Sequence, residues 1–285
     1  MRLRYRLLNV FAQPGDPFSG NALCVFEDAS GLDVHRMQGL ARQFNLSETT
    51  FITRQGSGTD GEDAAVRIFT ATFEMPFAGH PTLGTAHVVR DLLGTGDGLR
   101  LSMPAGVIPV EASGDTWTLT ANPGVVERQL DAWEIASAVG LDTDELVGPV
   151  QQVSTGSPQI IAQATTADAV RRAVADGALL RKHGGMGVRG GETLVYLWAQ
   201  TGPGTALARA LISEGTSTVE DPATGSACSN LGAWLVAQGR TGLTWEVSQG
   251  EQTGRPSTLH LTVADDGTVR VGGLVREVGA GEVVL

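Results

Sequence analysis

The 285-residue sequence predicts an α+β fold of two pseudo-symmetric halves, each with strands around one buried helix. Two observations lead to this prediction. First, a proline followed by a Gly-Thr-Ala or Gly-Ser-Ala step and an apolar run occurs twice, and the prolines, Pro81 and Pro222, are 141 residues apart (222 minus 81), close to half the chain length. Second, both apolar runs lack a clear polar face, which is typical of buried helices.

The first half is predicted to contain strands, one surface helix and the first buried helix. Met37, Leu40, Ala41 and Phe44 have helical spacing, so 34–44 is a helix with one buried face. The other segments alternate or are rich in β-branched residues between glycines and prolines, as strands are. In chain order we expect strands at 4–10, 21–26 and 49–53, a hairpin loop at 56–61, a strand at 65–72, a helix at about 81–93, and strands at 99–110 and 116–121.

The second half repeats this order with different residues. Asn122-Pro123-Gly124 marks the boundary, so the predicted halves are 1–122 and 123–285. Their central helices span about 81–93 and about 225–238. The other predicted elements are a short helix at 133–139, a strand at 159–163, a charged helix at about 167–181, a flexible loop at 184–191, a strand at 193–199 and further strands in 245–285.

Composition excludes several classes of protein. The net charge is −11 and no basic run occurs, which argues against a nucleic-acid groove. No segment is long and apolar enough to be a signal peptide or to span a bilayer. The two cysteines, Cys24 and Cys228, lack metal-site spacing and are expected to be reduced structural residues. We therefore expect a cytoplasmic globular protein without metal, membrane or nucleic-acid partners.

Each repeated segment carries an ionisable residue just before its proline. Pro81 and Pro222 suit the first helical position, which makes His80 and Asp221 the expected N-cap residues. The N–H groups and the positive dipole end of a helix N-terminus bind anions. Two such ends would hold a carboxylate between an imidazole and an aspartate in a shared site. Two ordinary capped helices are the alternative, and the residues alone leave the two interpretations about even.

Four other residues have two interpretations each. Glu48 lies between a predicted helix and strand, where a glutamate usually caps or is solvated. His87 follows His80 by seven residues, about 10 Å along a helix, so the two are not expected to share a metal, and His87 reads as a buried helix histidine. Arg255 could belong to an ordinary turn or supply a positive charge. Ser226, with His80 and Asp221, could form a hydrolase triad, but the Gly-x-Ser-x-Gly elbow is absent.

Taken together, the motifs resemble those of the phenazine biosynthesis PhzF-like family, which shares its fold with diaminopimelate epimerase. The resemblance covers nearly the whole chain in family order. It implies two halves, each an antiparallel barrel-like sheet around a central helix, an active site in the cleft between them, and a last strand that returns to the first half. The matching segments are Gly20-Asn21, Asn45 to Thr49, Arg67 to Thr70, Glu74 to Gly84, Glu220 to Ala227, Gln249-Gly250, Gly254 to Ser257 and Gly272-Gly273.

The resemblance also implies a chemistry. Enzymes of this family need no metal or organic cofactor, and the best-known activity isomerises trans-2,3-dihydro-3-hydroxyanthranilate. A homodimer is expected on the same ground. Related epimerases use two cysteines near the positions of Gly79 and Asp221, and this chain has none there. By position, Glu48 is the implied proton shuttle, His80 and Asp221 hold and polarise the substrate, and Gly79, Gly225 and Ser226 bind its carboxylate.

Two stretches depart from the family pattern: the one before the second repeated segment, and the Gly-rich loop before the strand near Tyr196. Where the family carries Arg-x-Phe and a proline, this chain reads Arg209-Ala210-Leu211 without the proline, which leaves the substrate open. The sequence therefore predicts a cofactor-independent isomerase that moves a proton on a small unsaturated amino acid or carboxylic acid. The alternatives are a catalytically silent member that binds a ligand or partner, and a hydrolase or lyase that uses the same acid–base set.

Overall fold

The computed structural model describes residues 1–58, 61–184, 192–214 and 217–285 and has an α+β architecture. Its contacts divide the chain into two units: unit 1 comprises Met1–Thr120 and Gly272–Leu285, and unit 2 comprises Ala121–Val271. The helices of the described ranges are α1 (Val34–Phe44), α2 (Gly79–Leu93), α3 (Ala132–Ala138), α4 (Ala167–Arg172), α5 (Gly177–Gly184) and α6 (Gly225–Ala237).

Strands contain more residues than helices in both units. The strands of the described ranges are β1 (Arg2–Ala12), β2 (Asn21–Phe26), β3 (Glu48–Gln55), β4 (Ala64–Phe69), β5 (Glu74–Met75), β6 (Gly98–Met103), β7 (Gly106–Ser113), β8 (Thr116–Thr120), β9 (Val125–Gln129), β10 (Leu146–Ser154), β11 (Pro158–Ala164), β12 (Thr193–Gly202), β13 (Thr205–Glu214), β14 (Ser217–Asp221), β15 (Leu243–Gln249), β16 (Ser257–Val263) and β17 (Val269–Val284). Of the two boundaries between the units, the one after Thr120 follows β8 and the one after Val271 falls inside β17.

Unit 1 is a closed barrel of eight strands around α2. The order is β1, β2, β3, β4, β6, β7, β8 and β17, and β17 pairs back with β1 from Arg2↔Val284 to Ala12↔Leu274. The sheet was predicted to be antiparallel, but β2–β3 and β4–β6 are parallel pairs. Parallel neighbours need a long crossover, which α1 and α2 supply.

Helix α2 is buried as its apolar sequence predicts. Residues 79–86 of the helix are all buried, together with Val88 and Val89, and the helix contacts β1, β2, β3, β6 and β8. Gly84 lets it approach the sheet, because a Cβ there would lie 2.5 Å from Leu23 Cδ2 and 2.9 Å from Val10 Cγ2. The barrel therefore holds the start of α2 in a fixed position.

Unit 2 repeats the pairing order of unit 1. β10–β11, β12–β13 and β15–β16 are antiparallel, and β11–β12 and β13–β15 are parallel. The short strand β14 pairs with β13 as β5 pairs with β4. Helix α6 is buried from Ala227 to Leu235 and contacts β9, β10, β11 and β16. This repetition and the buried helix confirm the predicted fold class.

Several predicted elements were wrong in extent. The strand at 99–110 is two strands, because Pro104 and Ala105 turn the chain between β6 and β7. The charged helix at 167–181 is two helices, α4 and α5. Helix α4 ends at Arg172, and the Arg209 guanidinium caps this end by donating hydrogen bonds to the carbonyl oxygens of Val170, Arg171 and Ala173.

Two predicted loops lie partly outside the described residues. In the loop expected at 56–61, residues 59–60 are not described, and in the one expected at 184–191, residues 185–191 are not. Gly184 itself is the last residue of α5, not part of a loop. None of the described helices has the length and apolarity that a bilayer crossing requires.

Candidate active site

In unit 1, Glu48 and His80 come together inside the barrel. Glu48 is the first residue of β3, which follows α1 after Asn45 ends that helix in the left-handed conformation (φ 52°). His80 is the second residue of α2. Their side chains are 15% and 5% exposed, and Glu48 Oε2 lies 3.5 Å from His80 Nε2. A carboxyl group and an imidazole therefore share one largely buried position.

The imidazole of His80 is neutral at physiological pH. Burial lowers the pKa of His80 to about 3, and a hydrogen bond to the backbone of Ala22 opposes this decrease, as a bond donated by the ring does. Within the described part of the chain Nε2 has no hydrogen-bond partner, so the bond to Ala22 is made by Nδ1. The contact with Glu48 is therefore not an ion pair, and Nε2 is left as an acceptor.

The helix starts differ from those expected. Helix α2 has Ala78 as its N-cap residue without a side-chain bond, and α6 has Thr224, so neither His80 nor Asp221 is an N-cap. Pro81 is the third helical residue, where its missing N–H still costs no helical bond, and Pro222 precedes the helix altogether. Aligning the prolines therefore gave the wrong register between the two copies.

The two copies align correctly when the first residues of their helices are matched. Gly79 and Gly225 are each the first helical residue, 146 residues apart (225 minus 79), and His80 and Ser226 are each the second. The two copies thus share a glycine and a polar side chain at the N-terminus of a buried helix. Such an end favours anions, through its N–H groups and its dipole.

In unit 2, Asp221 ends β14 and is held by two neighbours. Thr224 Oγ1 donates to Asp221 Oδ2 at 2.6 Å. Gln249, at the end of β15, donates from Nε2 to the Asp221 carbonyl (2.8 Å) and to Thr224 Oγ1 (3.0 Å). Gln249 Oε1 accepts from the Thr224 N–H (3.3 Å) and from the hydroxyl of the buried Tyr196 (3.1 Å). Thr224 therefore orients the Asp221 carboxyl group, and Gln249 fixes both Thr224 and the Asp221 backbone.

The turn after Gln249 depends on glycine. Gly250 has φ +84°, and a Cβ there would meet the backbone oxygen of Arg255 and lie 2.6 Å from that of Pro222. The turn therefore packs directly against the segment that links Asp221 to α6. Arg255 lies in the same turn, where its N–H donates to the Gly250 carbonyl.

Gly225 and Ser226 form the start of α6, a helix of 13 residues. Ser226 Oγ accepts a hydrogen bond from Gln159 Nε2, 2.8 Å away on β11. Sequence reasoning named Ser226 but missed Gln159, Thr224 and Gln249 as residues that hold the site. Thr224 and Gln249 carried a signal, through the Glu220–Ala227 and Gln249-Gly250 motifs, whereas Gln159 lies in none of the recognised segments.

The remaining candidates belong to neither residue set. His87 is two turns beyond His80 on α2 and accepts a hydrogen bond from Trp117 Nε1 (3.3 Å), and burial lowers its pKa. Cys24 and Cys228 are fully buried without a disulfide, and burial raises the pKa of both thiols. Among the described residues, no three His, Cys, Asp or Glu side chains form a group that could hold a metal ion.

Comparison with known proteins places this geometry in a family. The model of the family described as PhzC-PhzF, phenazine biosynthesis-like protein, matches residues 8–278. An uncharacterized isomerase of Pasteurella multocida is 35% identical, over 99% of this chain and 94% of its own. The trans-2,3-dihydro-3-hydroxyanthranilate isomerase of Pseudomonas fluorescens is 30% identical, over 90% of this chain and 88% of its own.

Solved structures agree on the fold. A predicted epimerase from Pseudomonas aeruginosa superposes with a TM-score of 0.80 at 33% identity, covering 99% of both chains. A hydroxyproline epimerase from Agrobacterium vitis has a TM-score of 0.63 at 13% identity, covering 100% of this chain and 93% of its own. At 13% identity, the similarity to the hydroxyproline epimerase shows the fold alone. This is the diaminopimelate epimerase-like fold that the motifs predicted.

Proposed function

The chain belongs to the PhzC-PhzF phenazine biosynthesis-like family, and we propose that it is a cofactor-independent isomerase that moves a proton on a small unsaturated amino acid or carboxylic acid. Relatives that cover most of the chain are named isomerases, which supports an isomerase-type enzyme. The one whose reaction is named acts on trans-2,3-dihydro-3-hydroxyanthranilate, an unsaturated amino acid.

The observation that carries the proposal is the pairing of Glu48 with a neutral His80. General acid–base catalysis requires an acid–base side chain, here the Glu48 carboxyl group, within reach of the carbon-bound proton, and burial keeps water away from the carbanion-like transition state. The Glu48 carboxylate removes a proton from one carbon of a conjugated substrate, and the resulting carboxylic acid returns it to another. His80 Nε2, 3.5 Å from Glu48 Oε2, accepts a hydrogen bond from the carboxylic acid or from the substrate.

Unit 2 supplies groups that bind the charges of the substrate. The backbone N–H groups at the start of α6 and the Ser226 hydroxyl bind a carboxylate, and Gly79 offers the same backbone geometry at the start of α2. Asp221, oriented by Thr224, pairs with the amino group of the substrate. That both residue sets act on one substrate molecule remains a prediction.

The proposal is tested by proton NMR of the purified protein in D₂O with dihydro-hydroxyanthranilate and a panel of unsaturated amino acids. Deuterium at a substrate carbon and a product of otherwise unchanged composition are the expected results. A product that has gained water or lost a fragment would identify a hydrolase or lyase instead. Bound compounds without any exchange would identify a silent binding protein.

Asp221→Ala tests whether the Asp221 carboxylate binds the substrate. Loss of the carboxylate should weaken the affinity for an amino-bearing substrate and lower turnover, because hydrogen-bonded charge pairs contribute about 1.5–3 kcal/mol. Titration calorimetry measures the affinity. An affinity equal to that of the wild type would remove Asp221 from the binding site, and Asp115→Ala, an exposed aspartate of unit 1, is the control that should change neither value.

A further inference from the structure

A series of side-chain hydrogen bonds in unit 2 ends at Ser226. Gln159 Nε2 donates to Ser226 Oγ at 2.8 Å. Asn230, four residues after Ser226 on α6, donates from Nδ2 to Gln159 Oε1 at 2.5 Å. Asn230 Oδ1 accepts from the N–H and the hydroxyl of Thr155, both at 2.8 Å. We call Thr155, Gln159, Asn230 and Ser226 the Ser226 network.

Two backbone groups determine the direction of every bond in the Ser226 network. The Thr155 N–H can only donate, so the Asn230 atom that faces it is the oxygen. The Ser157 carbonyl can only accept, and Asn230 Nδ2 donates to it at 2.8 Å. Because Nδ2 also faces Gln159, the Gln159 atom at that contact is its oxygen, and its amide nitrogen must donate to Ser226.

The consequence concerns the hydrogen of the Ser226 hydroxyl. Since Oγ receives a hydrogen bond from Gln159, this hydrogen is directed elsewhere, and no residue in the described ranges accepts it. Gln159 is 4% exposed and Asn230 is fully buried, so neither amide exchanges its partners for bulk water. Groups held in a buried hydrogen-bond network are preorganised and polarise one another.

We propose that Gln159 and Asn230 are positioning residues that keep the Ser226 hydroxyl as a hydrogen-bond donor to the substrate carboxylate. This inference rests on the proposed function and names the group that the site selects. A carboxylate oxygen accepts the hydrogen of the Ser226 hydroxyl, whereas an ammonium group can only donate and leaves that hydrogen without an acceptor. Neither Gln159 nor Asn230 touches the substrate, so both act through Ser226.

The test is a double-mutant cycle on the full-length protein with anthranilate as the probe. Gln159→Met removes the donated hydrogen bond but keeps the length and neutrality of the side chain, and Asn230 retains the Ser157 carbonyl. Calorimetry should show anthranilate binding weakened about 5-fold by Gln159→Met and about 10-fold by Ser226→Ala, the scale of a hydrogen bond to a charged group. The double variant should bind like Ser226→Ala alone, because the two residues act as a unit.

A merely structural role predicts a different outcome. If Gln159 only supports the fold, Gln159→Met weakens binding by the same factor in the Ser226→Ala protein, which would overturn the proposal. Failure of the wild type to bind anthranilate would overturn it too. Gln163→Met changes a glutamine on the same strand β11 outside the network and should leave the affinity unchanged. A thermal melt of each variant reports its folding separately.

A second variant keeps the test valid if Gln159→Met does not fold. Gln159→Glu keeps the acceptor for Asn230 but presents an oxygen to Ser226, which must then donate inward. Anthranilate should lose more affinity than the neutral anthranilamide, and equal losses would contradict the proposal.

The outcomes also separate this proposal from the proposed function. If no deuterium exchange occurs but the cycle is non-additive, the proposed function is rejected and the positioning role of Gln159 is supported. Deuterium exchange together with an additive cycle would support the proposed function and overturn the positioning role of Gln159.

Discussion

At the scale of single residues, the protonation state of His80 follows from its burial. An imidazole inside the barrel is neutral, so it cannot stabilise Glu48 as an ion pair, and it can accept a hydrogen bond instead. This distinction decides the chemistry of the pair. A protonated histidine would hold Glu48 as a carboxylate, whereas a neutral one lets Glu48 exist in both the acid and the base form during a proton transfer.

The burial of His80 predicts a pH-dependent stability. Its pKa of about 3 lies below the unfolded value of 6.5, so between these values the unfolded chain binds a proton that the folded chain does not. The free energy of unfolding therefore falls as the pH falls through this window, by about 1.4 kcal/mol per pH unit from this group. His80→Asn, which keeps an N–H for Ala22, should remove that slope in urea unfolding experiments.

The comparison of the two proteins isolates His80 from other titrating groups. The difference in unfolding free energy between wild type and His80→Asn should change steadily from about pH 6 to about pH 4.5. A difference that stays constant over this range would show that His80 is protonated in the folded protein.

The sequence indicated the candidate site residues that lie in recognisable motifs. It missed the residues that contact them from segments far away in the sequence. His80, Gly79 and Ser226 lie in strings specific enough to be recognised. Gln159 lies 67 residues from the Ser226 that it supports, and nothing in its neighbourhood in the sequence marks it. Its role arises from the pairing of β11 beside α6, which pattern reasoning does not provide.

At the scale of elements, tertiary contacts decide where helices begin and end. The apolar periodicity predicted both central helices and the start of α6 at Gly225, but the prolines gave the wrong N-cap residues and a start for α2 that was two residues late. The segment 167–181 has continuous helical spacing, yet Arg209 binds the last carbonyls of α4, and its guanidinium is itself paired with Glu220 at 2.7 Å. Such a stop depends on β13 and β14, so local propensity could not reveal it.

The turn between β15 and β16 gives a prediction at this scale. Gly250→Ala forces a Cβ against two backbone oxygens at a positive φ, so it should destabilise the protein by about 3 kcal/mol or more. Gly254→Ala is the matched control, since Gly254 has φ +70° but no atom within 4 Å of its Cβ position. It should cost about 1 kcal/mol. Equal costs in urea unfolding would show that crowding by Arg255 and Pro222 is unimportant.

At the scale of the whole molecule, the two units have the same strand-pairing topology. Each has a parallel pair, an antiparallel pair and a second parallel pair in the same order, with a buried helix that begins at glycine. The sequence indicated this repetition through its two signatures. The parallel pairs were missed, because segments with strand pattern do not reveal which neighbour they join.

Closure of the unit 1 barrel depends on β17. Deleting Gly272–Leu285 removes one of the two partners of β1 and a partner of β8, which leaves two open sheet edges. Hydrogen exchange should then show loss of amide protection in β1 and β8. Deleting only 281–285 removes the pairs of Arg2 to Tyr5 and should expose only that end. Protection of β1 equal to that of the full chain would contradict the closed barrel.

The central claim, that Glu48 moves the proton, is tested most directly by Glu48→Gln. Turnover of the substrate found by deuterium exchange should fall about 10²-fold or more, while its affinity stays close to that of the wild type. Glu111→Gln, an exposed glutamate on β7, is the control and should keep full activity. Near-normal turnover and deuterium incorporation by Glu48→Gln would contradict the account, because another group would then carry the proton.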